Sequence, residues 1–159
     1  MPKHKHMAFY VEYDGLCNKF ITEAKVIGIS GTGNHEMIIK ALWDTGAEKS
    51  AITPNVAEKL NLKAINRVKV NGVNSVSYAN IVKISVMLPN LYIVDNVNAS
   101  ACNLIKGVDL LIGMDIIMMG DFSISNGGGE TLFSFVMPSF ENKINLCDKA
   151  VAVNKRNML

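Results

Sequence analysis

With 159 residues, 49% of them hydrophobic, the chain has apolar material for one sizeable core and no more. Its 16 basic and 14 acidic residues leave a net charge of +2, too little to point to nucleic acid, and no apolar run approaches the ~20 residues needed to span a bilayer. The three cysteines, Cys17, Cys102 and Cys147, are odd in number and lack metal-ligand spacing; with no apolar leader at the N-terminus, the expectation is a reduced, cytoplasmic protein.

Residues 1–21 read as an N-terminal extension leading into a first strand region. His4 and His6 have the spacing of a chelating pair, but with Lys3, Lys5 and Met7 around them they read as a frayed, solvated end, so no metal is expected there. From Cys17 to Ser30 the chain is rich in Ile, Val and Phe and reads as strand. It turns at Gly31-Thr32-Gly33-Asn34 into a second strand that runs out through Met37 to Trp43. The glycines at 28, 31 and 33 do not make a phosphate loop, because no helical pattern follows and no Gly-Lys-Ser/Thr is present.

That second strand delivers the most informative residues of the chain, Asp44-Thr45-Gly46-Ala47. Alone, Asp-Thr-Gly is a three-residue match that any surface turn can supply; the apolar Ala41-Leu42-Trp43 before it and the lead-out to Ala51 and Ile52 are not those of a surface turn. Ser50 or Thr53 then caps a short helix with Pro54 at an early position and Val56, Ala57 and Leu60 on one side, ending near Asn61. Arg67 to Tyr78 alternates about Asn71-Gly72, the pattern of a hairpin. Ile81 to Leu88 reads as a strand, Pro89-Asn90 as a turn, and Leu91 to Val97 as a further strand. Val108 to Ile117 is an apolar run broken by Gly113 and continued by a helical pattern that stops at Gly120. Asp121 to Ser125 and Thr131 to Val136 flank Asn126-Gly127-Gly128-Gly129 as a terminal hairpin. Residues 139–159 read as a tail of uncertain order, with Ile144, Leu146, Ala150, Val151 and Val153 able to pack and Lys155-Arg156-Asn157 solvated.

Two of these segments together resemble the retropepsin-like aspartic peptidases, the family of the retroviral proteases and their cellular and bacterial relatives. That family joins an apolar-apolar-Asp-Thr/Ser-Gly-Ala loop, here Leu42 to Ala47, to a later apolar-apolar-Gly-x-Asp/Asn segment, here Leu111 to Asp115, which opens a helix behind the loop. The likeness spans a domain of residues 22–138. It implies a mostly β fold: a closed retropepsin-like acid-protease barrel with a flap hairpin and one or two short helices. On its residues alone Arg67 to Tyr78 is an ordinary hairpin; the likeness makes it the flap.

The resemblance also implies a chemistry. Two carboxyl groups about 3 Å apart cannot both ionise easily, so the pair shares a proton and can activate water without metal, cofactor or covalent intermediate. The motif occurs once, and a peptidase with two internally duplicated lobes needs roughly twice this length, so the second carboxylate would come from an identical chain. The implied catalytic residue is Asp44. Thr45, Gly46 and Ala47 form the active-site loop, with the Thr45 hydroxyl bracing its symmetry mate and Gly46 allowing a close backbone approach. Glu48, Gly72, Val73 and Asn74 are the implied substrate-binding positions. Leu111, Ile112, Gly113 and Asp115 are the implied support, Asp115 by accepting backbone N–H groups at the helix start.

The implied activity is that of a homodimeric aspartic endopeptidase acting on extended, apolar-rich peptide, with no nucleic acid, membrane or cofactor involved. The alternatives are a proteolytically inactive retropepsin-like dimerisation or peptide-binding module, and a structural barrel with no peptide groove. One departure from the retroviral pattern bears on the dimer. Those enzymes carry an ion pair of Asp and Arg near the dimer interface, and the matching positions here hold Glu48 and Met114, so a dimer must be secured in some other way.

Overall fold

A computed structural model describes residues 5–30, 33–71 and 76–156. His4, the turn residues Gly31 and Thr32, and the flap positions Gly72, Val73 and Asn74 lie outside the described residues. In chain order the elements are β1 (Met7–Tyr13), β2 (Phe20–Ser30), β3 (Gly33–Trp43), β4 (Ala51–Ile52), α1 (Pro54–Lys59), β5 (Ala64–Asn71) and β6 (Val76–Met87). There follow β7 (Ile93–Ala101), β8 (Leu110–Ile112), the one-turn helix α2 (Met114–Ile117), β9 (Asp121–Ser125), β10 (Thr131–Met137) and α3 (Leu146–Arg156).

Six strands in the order β2-β3-β8-β4-β7-β6 close on themselves through a second pairing of β2 with β6, and β5 hangs from β6 outside the ring. This is the closed, mostly β barrel expected from the sequence. Period-2 alternation builds its lining: Ala24 and Val26 on β2, Ile39 and Ala41 on β3, and Val82, Ile84 and Val86 on β6 are buried. The β5–β6 pair carries the predicted hairpin, in register from Asn71 opposite Val76 back towards the barrel. Closure leaves few free edges. Among the described residues no helix is long and apolar enough to cross a membrane.

A second sheet, ordered β1-β10-β9, packs on the barrel. Phe133, Phe135 and Met137 are buried on β10, and Trp43 at the end of β3 lies 5.2 Å from the Phe133 ring and 4.8 Å from that of Phe135. The single polar group of this tryptophan is provided for, since Nε1–H donates to Thr22 Oγ1 at 3.0 Å. Tyr13 pins β1 to β2 by donating its hydroxyl to the Ile21 carbonyl at 2.9 Å. Burial, with Cys17 nearby, pushes its phenol pKa up.

Three sequence expectations are corrected here. The N-terminal end is not frayed at His6 and Met7: Met7 pairs with Met137, and His6 lies against the Phe140 ring at 5.1 Å with Nδ1 3.0 Å from the Pro138 carbonyl. The alternating Met7, Phe9, Val11 and Tyr13 outweigh the lysines before them, because each alternate side chain gains a covered face. Leu91 does not begin a strand. Its φ of +64° and the N–H it donates to Leu88 keep it in the turn, so β7 starts at Ile93 and runs on to Ala101. The C-terminal tail contains an 11-residue helix, α3, every residue of which is exposed.

Candidate functional site

Asp44 sits just past β3, in a loop whose two flanking strands are held apart by a third. β8 pairs in parallel with β3 and antiparallel with β4, so it slots between the strands that enter and leave the loop. The Asp44 N–H donates to the Ile112 carbonyl at 3.0 Å, and the Ala47 N–H closes the turn on the Asp44 carbonyl at 3.2 Å. Gly46 N–H donates to Asp44 Oδ1 at 2.8 Å. One carboxylate oxygen is therefore fixed by its own loop.

The Gly113 segment holds that loop from behind. Met114 N–H donates to the Ala47 carbonyl at 2.8 Å and Asp115 N–H to the Glu48 carbonyl at 3.2 Å. Such an approach has no room for a side chain: a Cβ on Gly113 would lie 2.7 Å from the Lys49 carbonyl carbon and 2.9 Å from the Ala47 oxygen. Leu111 and Ile112 supply the strand that makes the approach, with Ile112 fully buried.

Gly113 occupies the N-cap position of α2, and the Asp115 carboxylate reaches across the chain to Ser50, accepting its N–H at 3.1 Å and its hydroxyl at 2.7 Å. Within its own helix it accepts only the Ile116 N–H, at 3.1 Å. Ser50 in turn accepts the Gly113 N–H at 3.1 Å and is completely buried. By sequence alone Ser50 is only a possible helix cap. Thr53 takes that position, with its hydroxyl directed to Asp109 at 3.3 Å instead of to the helix.

The structure thus brings together Asp44, Thr45, Gly46, Ala47 and Glu48 with Leu111, Ile112, Gly113 and Asp115. Thr45, Gly46 and Glu48 are exposed and Asp44 is half-buried. The Ala47 and Glu48 carbonyls turn inward to α2, which leaves the outer face of the loop to its side chains and to Gly46. A cavity of about 300 Å³ opens at Asp44 and Thr45, walled by Phe20, Trp43, Phe122 and Ile124. Among the described residues no cluster of three potential metal ligands occurs, and the single ion pair is Lys25 with Glu36, at 2.8 Å and far along the barrel. Among the described residues no ion pair involves Glu48.

Chemically, the loop presents one carboxylate, rigidly based and open on one side. One such group can act as acid or as base but not as both in the same step.

Residues 29–118 match the family described as "gag-polyprotein putative aspartyl protease". The chain is also similar in fold to a retropepsin-like aspartic protease from Rickettsia conorii, known from a crystal structure. The TM-score is 0.51 at 17% identity, over 86% of this chain and 98% of that one. No curated protein matches the sequence.

Proposed function

The chain belongs to the gag-polyprotein aspartyl protease family, with a retropepsin-like fold, and from that premise we propose that it is a homodimeric aspartic endopeptidase whose dyad is Asp44 from each of two protomers. The observation that carries this reading is the Asp44 loop itself: a lone carboxylate with Oδ1 held at 2.8 Å by Gly46, tied from behind by Gly113 and its neighbours, and open outward.

Across a two-fold axis the paired carboxyls share one proton. The ionised member takes a proton from a water, whose oxygen attacks the scissile carbonyl carbon, while the protonated member gives its proton to the carbonyl oxygen. Collapse of the resulting gem-diol breaks the C–N bond: the first carboxyl returns its proton to the amine nitrogen, and the second takes a hydroxyl proton back from the gem-diol as the new acid forms, which restores the shared proton. Thr45, exposed beside Asp44, faces its counterpart, and the β5–β6 hairpin closes over an extended peptide through main-chain hydrogen bonds, with Glu48 near its path. The three free thiols fit a reducing compartment, the cytoplasm.

Cleavage of a peptide library, compared between the wild type and Asp44→Asn, tests this. The variant is expected to keep its fold and lose activity by roughly 10²-fold or more. Equal cleavage by both would overturn the reading, and a folded wild type that binds peptides without cutting any would favour the binding-module alternative.

A further inference from the structure

Beside the Asp44 loop the core is left open on one flank. In the β9–β10 register Phe122 stands opposite Phe135 and Ile124 opposite Phe133, so all four share the face of the sheet that packs on Trp43. Phe133 and Phe135 are buried, whereas Phe122 and Ile124 remain 40% and 41% exposed. These two residues and Ile117 line both the cavity at Asp44 and an adjoining groove of about 510 Å³ that runs on to Met118 and Leu146. Met118 and Leu146 are 74% and 71% exposed.

From Leu146 onward α3 is uncovered along its length, yet it is amphipathic. Leu146, Ala150 and Val153 follow one another at i, i+4 and i+7, with Cys147 and Val151 alongside and Asn154 the one polar residue among them, while Asp148, Lys149, Lys155 and Arg156 occupy the opposite side with Ala152. An 11-residue helix is marginal in water unless that apolar face is buried.

We propose that a second copy of this chain covers the surface, with the α3 face of each protomer seated on the Met118–Phe122–Ile124 groove of its partner. The proposal rests on the dimeric peptidase reading for why a copy must arrive here. Two Asp44 carboxylates within hydrogen-bond reach put the two-fold axis beside Thr45, and a copy so placed meets Phe122 and Ile124, which wall the same cavity. The Asp44–Glu48 loop alone is too small to hold it, since a stable complex buries about 800 Å² per partner. Groove and helix supply that apolar area. They also meet the requirement of a two-fold contact for a self-complementary patch, because the helix begins at the groove.

The test is sedimentation equilibrium on the full chain carrying Val151→Asp and Val153→Asp, with Met118→Asp as a second variant on the groove side. All three positions are exposed, and circular dichroism checks the fold. The wild type is expected to be a dimer, and each variant to raise the dimer dissociation constant about tenfold or more. Peptidase activity per protomer should then be lost at low protein concentration and recovered at high concentration. Cys147 of the wild type should become protected from a thiol reagent as concentration rises. Variants that dimerise as tightly as the wild type, weakening by Met118→Asp alone, or a monomeric wild type would each overturn the proposal. A dimer sensitive to these substitutions that cuts no peptide would instead overturn the peptidase reading and leave the interface standing.

Discussion

The buried Ser50 hydroxyl accepts the Gly113 N–H and donates to Asp115, so alanine at this position removes two bonds that tie the Asp44 loop to α2. Leaving such buried groups unpaired costs about 1–3 kcal/mol. Ser50→Ala should therefore lower the unfolding free energy by that amount, and it should reduce kcat more than it raises KM, because the loop that aims Asp44 loosens while the peptide path is untouched. A variant with wild-type stability and kcat would show that the Gly113 contact holds without it. The residues in this network differ in how they could be read from sequence. Asp44 and Gly113 each stand in a short local pattern, an acid and a glycine at the end of an apolar strand. Ser50 has no such pattern. Its partners lie 63 and 65 residues away, so its importance arises only when β8 slots in beside β4. For the same reason the bonds of Asp115 to Ser50 were not legible, although its acceptance of a backbone N–H at the helix start was.

At the scale of elements, the flap differs from the barrel that bears it. β5 pairs with β6 alone, and its residues from Ala64 to Arg67 are exposed, whereas Val82, Ile84 and Val86 farther along β6 are buried in the ring. Amide hydrogen exchange should accordingly be fast in β5 and the outer half of β6 and slow from Val82 onward. Equal protection throughout β6 would contradict a hairpin able to open. This hairpin was legible because Asn71-Gly72 marks its turn, as Asn126 to Gly129 marks that of β9 and β10. Elements lacking a turn signal were harder. β1 has the alternation of a strand, but what makes it one is β10, more than a hundred residues downstream. α3 has helical spacing of apolar residues with no cap to announce it and no covering element in its own chain.

For the whole molecule, the proposed dyad would put half a site in each chain. Rate should follow a bell-shaped pH profile, falling on the acid side as the base is protonated and on the alkaline side as the shared proton is lost. A flat profile across the acid range would contradict the dyad. The insertion of β8 between β3 and β4 has a further consequence, which concerns synthesis. Asp44 leaves the ribosome long before the strand that shapes its loop, since Asp115 follows Ser50 by 65 residues. Non-local pairings of this kind are made late. A growing chain therefore carries Asp44 without the geometry of its loop until β8 and α2 have followed it, and on the dimeric reading proposed above it would gain a dyad only on meeting a second copy.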